Sequence, residues 1–220
     1  MKKIKLLALY VLGFPKSIYV CLRLCKFRDA IKIPIIVSHK TRLVNLSGSV
    51  SFLSARPGLV RIGFGSVETY DFRTEITLLS VPGHIFFRGK AKIGKASKIS
   101  VQGELDLGKN FHVSAAATII CRKKIIFGDN CLVGWESIFS DADHHHIVNE
   151  SGQLINHPKD IVLGNHVWVG AYSLILKGAV IGSDSVVAAK SVVNKAFIDN
   201  GLLIAGSPAK VIKKNINWIE

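Results

Sequence analysis

The chain of 220 residues is poor in cysteine, methionine, proline and acidic side chains: four Cys, one Met, six Pro, and 15 Asp and Glu against 29 Lys and Arg. Cys21, Cys25, Cys121 and Cys131 are too few for a disulfide scaffold at this length, and the absence of a CxxC pair excludes zinc-ribbon or thioredoxin-like chemistry. A reducing compartment is the expectation. No apolar run reaches the roughly 20 residues that span a bilayer, because Lys16 separates residues 6–15 from 17–22. Helix-turn-helix, RNP and zinc-finger spacings are also missing, so nucleic acid is not expected as a partner. What is present is a 49% apolar composition, enough to build a core and to exclude a disordered or collagen-like chain.

The charge is regional. Residues 1–42 hold ten Lys and Arg against Asp29 alone, which is +9 of the net +14. Lys2, Lys3 and Lys5 followed by an apolar stretch imitate a secretory leader, but no A-x-A site follows and further cations do. Two readings stand side by side: a segment lying against an anionic cytoplasmic leaflet, and an N-terminal helix packed on its own domain. Pro15 and Pro34 are expected to interrupt any long helical stripe.

The informative pattern begins near Ile93. Leu163, Val169, Ile175, Ile181, Val187 and Val193 recur every six residues, and the fifth position of each unit (Val167, Ser173, Ala179, Ser185, Ser191) is small or short. This is neither a helical period nor plain strand alternation. A large aliphatic, a small residue and a turn-tolerant pair such as Gly164-Asn165 describe a short strand and a bend, and three of these close a triangular coil that must stack on others to bury its face. The register runs back through Phe139, Val133, Phe127, Ile119, Val113, Leu107, Ile99 and Ile93, with two extra residues every 20. From Phe139 to Leu163 there are 24 residues where six suffice, so a loop must project there. The organisation read from this pattern is a basic segment 1–45, an irregular lead-in with early coils 46–92, a repeat body 93–205 with loop 140–160, and a tail 206–220. Residues 205–210 end the repeat, because Pro208 cannot donate to a central strand ladder, and the tail then covers the last coil or a neighbour.

With the hexads, Ile161-Val-Leu-Gly-Asn-His-Val-Trp-Val-Gly170, Ile175-Leu-Lys-Gly178, Ser191-Val-Val193 and Gly206-Ser-Pro-Ala-Lys210, the chain resembles the hexapeptide-repeat acyltransferases. The likeness is to sugar O-acetyltransferases of bacterial surface polysaccharides, and residues 27–37 look like the lead-in of that subgroup. The resemblance implies an all-β, left-handed parallel β-helix; the spacing alone supplies no hand. It implies acetyl-CoA as donor, a saccharide acceptor, and a homotrimer in which the donor lies between two subunits. The residues carried over for the donor are Trp168, Gly170, Ala188, Ala189, Lys190, Pro208 and Lys210. Lys190 stands where the family more often has glycine. Lys190, Lys195, Lys210 and Lys213 offer charge to nucleotide phosphates.

The loop opens Ser140-Asp-Ala-Asp-His-His-His-Ile147. Transfer of an acetyl group to a hydroxyl needs a base within hydrogen-bond reach, and histidine has the matching pKa. Residue types alone leave His144, His145 and His146 open. The family's D-x-D-x-H-x-I pattern falls on Asp141, Asp143, His145 and Ile147, which implies His145 as general base with Asp143 or Asp141 fixing its tautomer. Adjacent histidines rarely converge on one ion, even with Asp141, Asp143 and His157 nearby, so no metal is expected. Cys131, at a small inward position, reads as a buried hydrophobe rather than a nucleophile. The alternatives are an N-acyltransferase acting on an amino sugar and a non-catalytic scaffold or membrane-docking module. The expected location is cytoplasmic, at the inner face of the membrane.

Overall fold

The computed structural model describes residues 2–65, 67 and 76–219; the side chains of residues 2–8, and with them Lys2, Lys3 and Lys5, lie outside that description. Three parallel sheets form the walls of a left-handed β-helix. Wall 1 stacks Ile93, Val113, Val133, Val169 and Val187 in register, wall 2 stacks Ile99, Ile119, Phe139, Ile175 and Val193, and wall 3 stacks Leu107, Phe127, Leu163 and Ile181. All are at most 2% exposed, so the hexad register is the register of the prism. The fifth-position residues are buried at the corners, where the hydroxyls of Ser173 and Ser191 donate to the carbonyl of Ala188 at 3.1 and 2.6 Å.

The two surplus residues in each 20-residue coil widen the prism between walls 2 and 3. Strands Lys98–Val101 and Glu104–Leu107 run four residues each and bury Val101 and Leu105 beside the corner; Thr118–Cys121 and Lys124–Phe127 repeat this with Cys121 and Ile125. Cys121, which the hexad count left without a role, is therefore an inward core residue, and burial pushes its thiol up to about 12. After the loop the flanking strands shorten to Leu174–Leu176 and Val180–Ile181, and Ala179 alone fills the corner.

Two expectations are corrected. The prism begins before residue 46: strand Ile35–Val37 pairs with Val60–Ile62 and Arg42–Leu43 with Leu78–Ser80, so the first coil lies partly inside the basic segment. In the stretch 65–82, residues 66 and 68–75 lie outside the described residues. Pro15 does not end the first helix, α1 (Lys2–Leu24), which runs through it. The carbonyl that Pro15 leaves without an N–H partner belongs to Val11, which lies on the exposed side of the helix. The parallel repeat ends at Pro208, as the sequence implies: the chain turns back there, and Ala209–Lys213 adds an antiparallel strand to Leu203–Gly206.

A single coil end exposes strand edges and core. Helix α1 closes that end. Gly13, Ser17, Val20, Cys21 and Leu24 face the first coil, a spacing of one helical stripe. Gly13 is required by the close approach, since a Cβ there would stand 2.2 Å from the Val37 carbonyl oxygen. Ser17 Oγ accepts the edge N–H of Val37 at 2.9 Å, and Lys16 Nζ donates to the carbonyls of His39 and Thr41. No helix among the described residues is long and apolar enough to cross a membrane.

Candidate active site

The loop leaves wall 2 after strand Ile138–Ser140 and returns at Ile161–Leu163 of wall 3. Where earlier coils cross this corner, the backbone of the next coil supplies the acceptor: the N–H groups of Gln102 and Gly103 donate to the Cys121 carbonyl. One coil later the chain departs, and the carbonyl of Asp141 turns to accept Lys159 N–H instead. The Asp141 side chain takes over the missing role. It is 0% exposed at the inner position of Val81, Val101 and Cys121, and its two oxygens accept the N–H groups of Arg122 and Lys123 at 2.7 and 2.8 Å. This carboxylate anchors the loop base and makes no bond to a histidine ring.

Asp143 is also engaged elsewhere. Its Oδ2 accepts Lys177 Nζ, from the turn after strand Leu174–Leu176, and Asn156 Nδ2 at 2.9 Å. Lys177, and after it Asn156, hold the Asp143 carboxyl below the usual carboxylate range. Asn156 then stitches the histidine segment from both sides, donating to the His145 carbonyl at 2.7 Å and accepting Ile147 N–H at 2.8 Å. The expectation that Asp141 or Asp143 fixes the His145 tautomer is thus corrected: both hold the backbone that carries His145. The three histidines are exposed around a hollow of about 100 Å³ that Arg122, Asn156 and Pro158 also line. His144 has a left-handed backbone, φ 65°, and its Nε2 lies 3.3 Å from Ser140 Oγ.

A larger groove of about 680 Å³ opens at the opposite edge of wall 2, on the corner with wall 1. Five of the seven residues expected at the donor line it: Trp168, Gly170, Ala188, Ala189 and Lys190. Pro208 and Lys210 do not; they lie at the turn and in the antiparallel strand beyond it. Gly170 has a packing reason to be small, because a Cβ would meet Ala189 N at 2.6 Å on the next coil. Lys190 sits at φ 59°, which accounts physically for glycine at such a corner. Sequence reasoning missed Trp135, Tyr172 and Leu203 as lining residues, and also Asn156 on the loop and Lys177 in the turn after Leu174–Leu176 as partners of Asp143. Trp135 and Tyr172 were within reach of coil counting, since Trp135 directly follows Gly134 and Tyr172 lies two residues after Gly170, glycines that stack on the same corner.

Comparison with known proteins agrees with this geometry. A family model described as bacterial transferase hexapeptide (six repeats) matches residues 160–195. Galactoside O-acetyltransferase of Escherichia coli K12 is 32% identical over 117 residues, 52% of this chain and 56% of that protein. Polysialic acid O-acetyltransferase of Neisseria meningitidis is 42% identical over 102 residues, 46% of this chain and 47% of its own. The chain therefore matches about half the length of these relatives. The crystal structure of the polySia-specific acetyltransferase NeuO superposes with a TM-score of 0.64 at 21% identity, covering 90% of this chain and 83% of the other. Stacked hexads, the corner groove and these matches together make the chain similar to the hexapeptide-repeat transferases.

Proposed function

We propose that the protein transfers acetyl from acetyl-CoA directly to a hydroxyl of a saccharide, a surface polysaccharide or its precursor, as a homotrimer at the cytoplasmic face of the membrane. The observation that carries this reading is the placement of two incomplete half-sites on the two edges of wall 2. An apolar groove with Lys190 at its rim suits the pantetheine arm and phosphates of the donor, while the histidines project from the other edge. Rotation about a threefold axis sets the groove of one copy beside the loop of the next. The exposed Ile147, Val148 and Ile155 on that loop supply apolar surface for the contact.

In this mechanism the His145 imidazole takes the proton from the sugar hydroxyl as its oxygen attacks the thioester carbonyl. The tetrahedral adduct then collapses, the C–S bond breaks, and the imidazolium returns the proton to the departing CoA sulfur. Asp143 and Asp141 act on the loop backbone in this scheme. A second reading, with His144 as base, is favoured by its constrained left-handed backbone and its Ser140 contact, which fix the ring more firmly than the neighbouring one.

Thiol release across a panel of sugars tests the proposal. His145→Ala is expected to lower kcat by about 10²–10⁴-fold with acetyl-CoA binding retained. The same loss in His144→Ala with His145→Ala active moves the role to His144. If His144→Ala, His145→Ala and His146→Ala all keep full activity, base catalysis by a histidine of this loop is wrong.

A further inference from the structure

The first helix has two apolar faces, and the prism uses only one of them. At about 100° per residue the stripe from Gly13 to Leu24 faces the first coil, while Val11, Leu12, Phe14, Ile18 and Leu22 fall on the outer side and are exposed, Val11 at 62%. The patch continues into α2 (Phe27–Ala30) and its C-cap, where Phe27 is 76% and Ile31 62% exposed. Eight of the twenty exposed large apolar side chains among the described residues lie between Val11 and Ile31. A solvated helix would carry polar residues on that side.

The charges around the patch are predominantly positive. Arg23, Lys26, Arg28 and Lys32 border it, and Asp29, paired with Lys32 at 3.7 Å, is the single acid of residues 1–42. The helix is also firmly seated: Lys16 is bonded to two carbonyls, Arg23 Nη2 donates to the Leu46 carbonyl at 3.5 Å, and Tyr10 stacks on Phe64 at 4.4 Å. The apolar outer face is therefore a fixed surface of the folded body.

We infer that the outer face of α1 and α2 is a membrane-docking plate that inserts shallowly into an anionic leaflet, apolar side chains at the acyl boundary and Lys and Arg at the phosphates. The excess of positive charge selects an anionic lipid surface over a second copy of this chain, whose own patch is equally basic. This deepens the peripheral location proposed above and is independent of the acetyl-transfer chemistry. It makes the closed end of the prism the membrane end. The loop leaves the fifth coil, four strand spacings away, so it stands about 19 Å along the prism from the first coil.

Co-sedimentation of the full chain with phosphatidylcholine vesicles, with and without phosphatidylglycerol, tests the inference. Binding is expected to the anionic vesicles and to weaken as salt is raised. Replacing Leu22, Phe27 and Ile31 together by Ser should weaken that binding at least about tenfold. Ile198→Ser, an exposed apolar site in the last coils, should bind as the parent does. Circular dichroism and thiol release with a soluble sugar should be unchanged in the triple variant, which separates this inference from the transferase reading. Undiminished vesicle binding by a folded triple variant overturns it, and so does a triple variant whose sedimentation without vesicles shows a lost subunit contact.

Discussion

Asp141 shows how a residue with the look of a catalytic carboxylate is committed to structure. A carboxylate within hydrogen-bond range of two backbone N–H groups substitutes for the carbonyl of the coil that is no longer there. Its removal leaves those N–H groups without their partner, so Asp141→Ala is expected to lower stability by about 1–3 kcal/mol in urea titration, with Asp141→Asn between it and the parent. An unchanged midpoint for Asp141→Ala would show that the corner does not need the acceptor. The pattern D-x-D-x-H-x-I falls on the projecting loop, but the bonds of its carboxylates were not legible, because the partners of Asp141 are backbone groups about twenty positions earlier in the chain. Coil counting contained one clue: position 141 falls in the inward column of Val81, Val101 and Cys121. Cys131 was legible for the converse reason, since a small inward residue has packing as its whole explanation.

Among the elements, the loop depends on a charged clamp and the helix on a flush seat. Lys177 depresses the Asp143 pKa, so the clamp contributes fully above the ordinary aspartate value of about 3.9 and is lost as pH falls through the lowered one. Protection of the Ile147 amide, which donates to Asn156, should fall over that acid range in hydrogen exchange measured by NMR. Asn156→Ala should show the same loss at neutral pH. Exchange indifferent to both changes would detach the histidine segment from this clamp. The loop's existence and its exit corner followed from the count of 24 residues where six suffice, but its internal stitching did not, because Asn156 and Lys177 lie 13 and 34 positions from Asp143. The continuity of α1 was hidden by Pro15, whose cost is small where the affected carbonyl faces solvent.

On the scale of the molecule, the prism from residue 93 onwards was readable because every sixth side chain must point inward once three walls close. The earlier coils were not, since their connections vary in length and dilute the period: Leu43 to Phe52 and Ile62 to Leu79 are separated by stretches that no six-residue frame fits. The handedness came from the resemblance alone. What the hexads did convey, through the position of the one long excursion, was which corner would carry the histidines, and the structure adds that the groove occupies the neighbouring corner across wall 2.

In the trimer proposed above, that separation by the breadth of one wall makes each reaction centre joint property. A chain lacking His145 still offers an intact groove, and a chain with Ala188→Phe blocking its groove still offers an intact loop. Co-expressed, the two silent variants should recover about a quarter of parental turnover by random mixing, whereas blending them after separate purification should restore activity only as fast as subunits exchange. A mixture that stays silent after exchange would mean that one chain houses the whole centre.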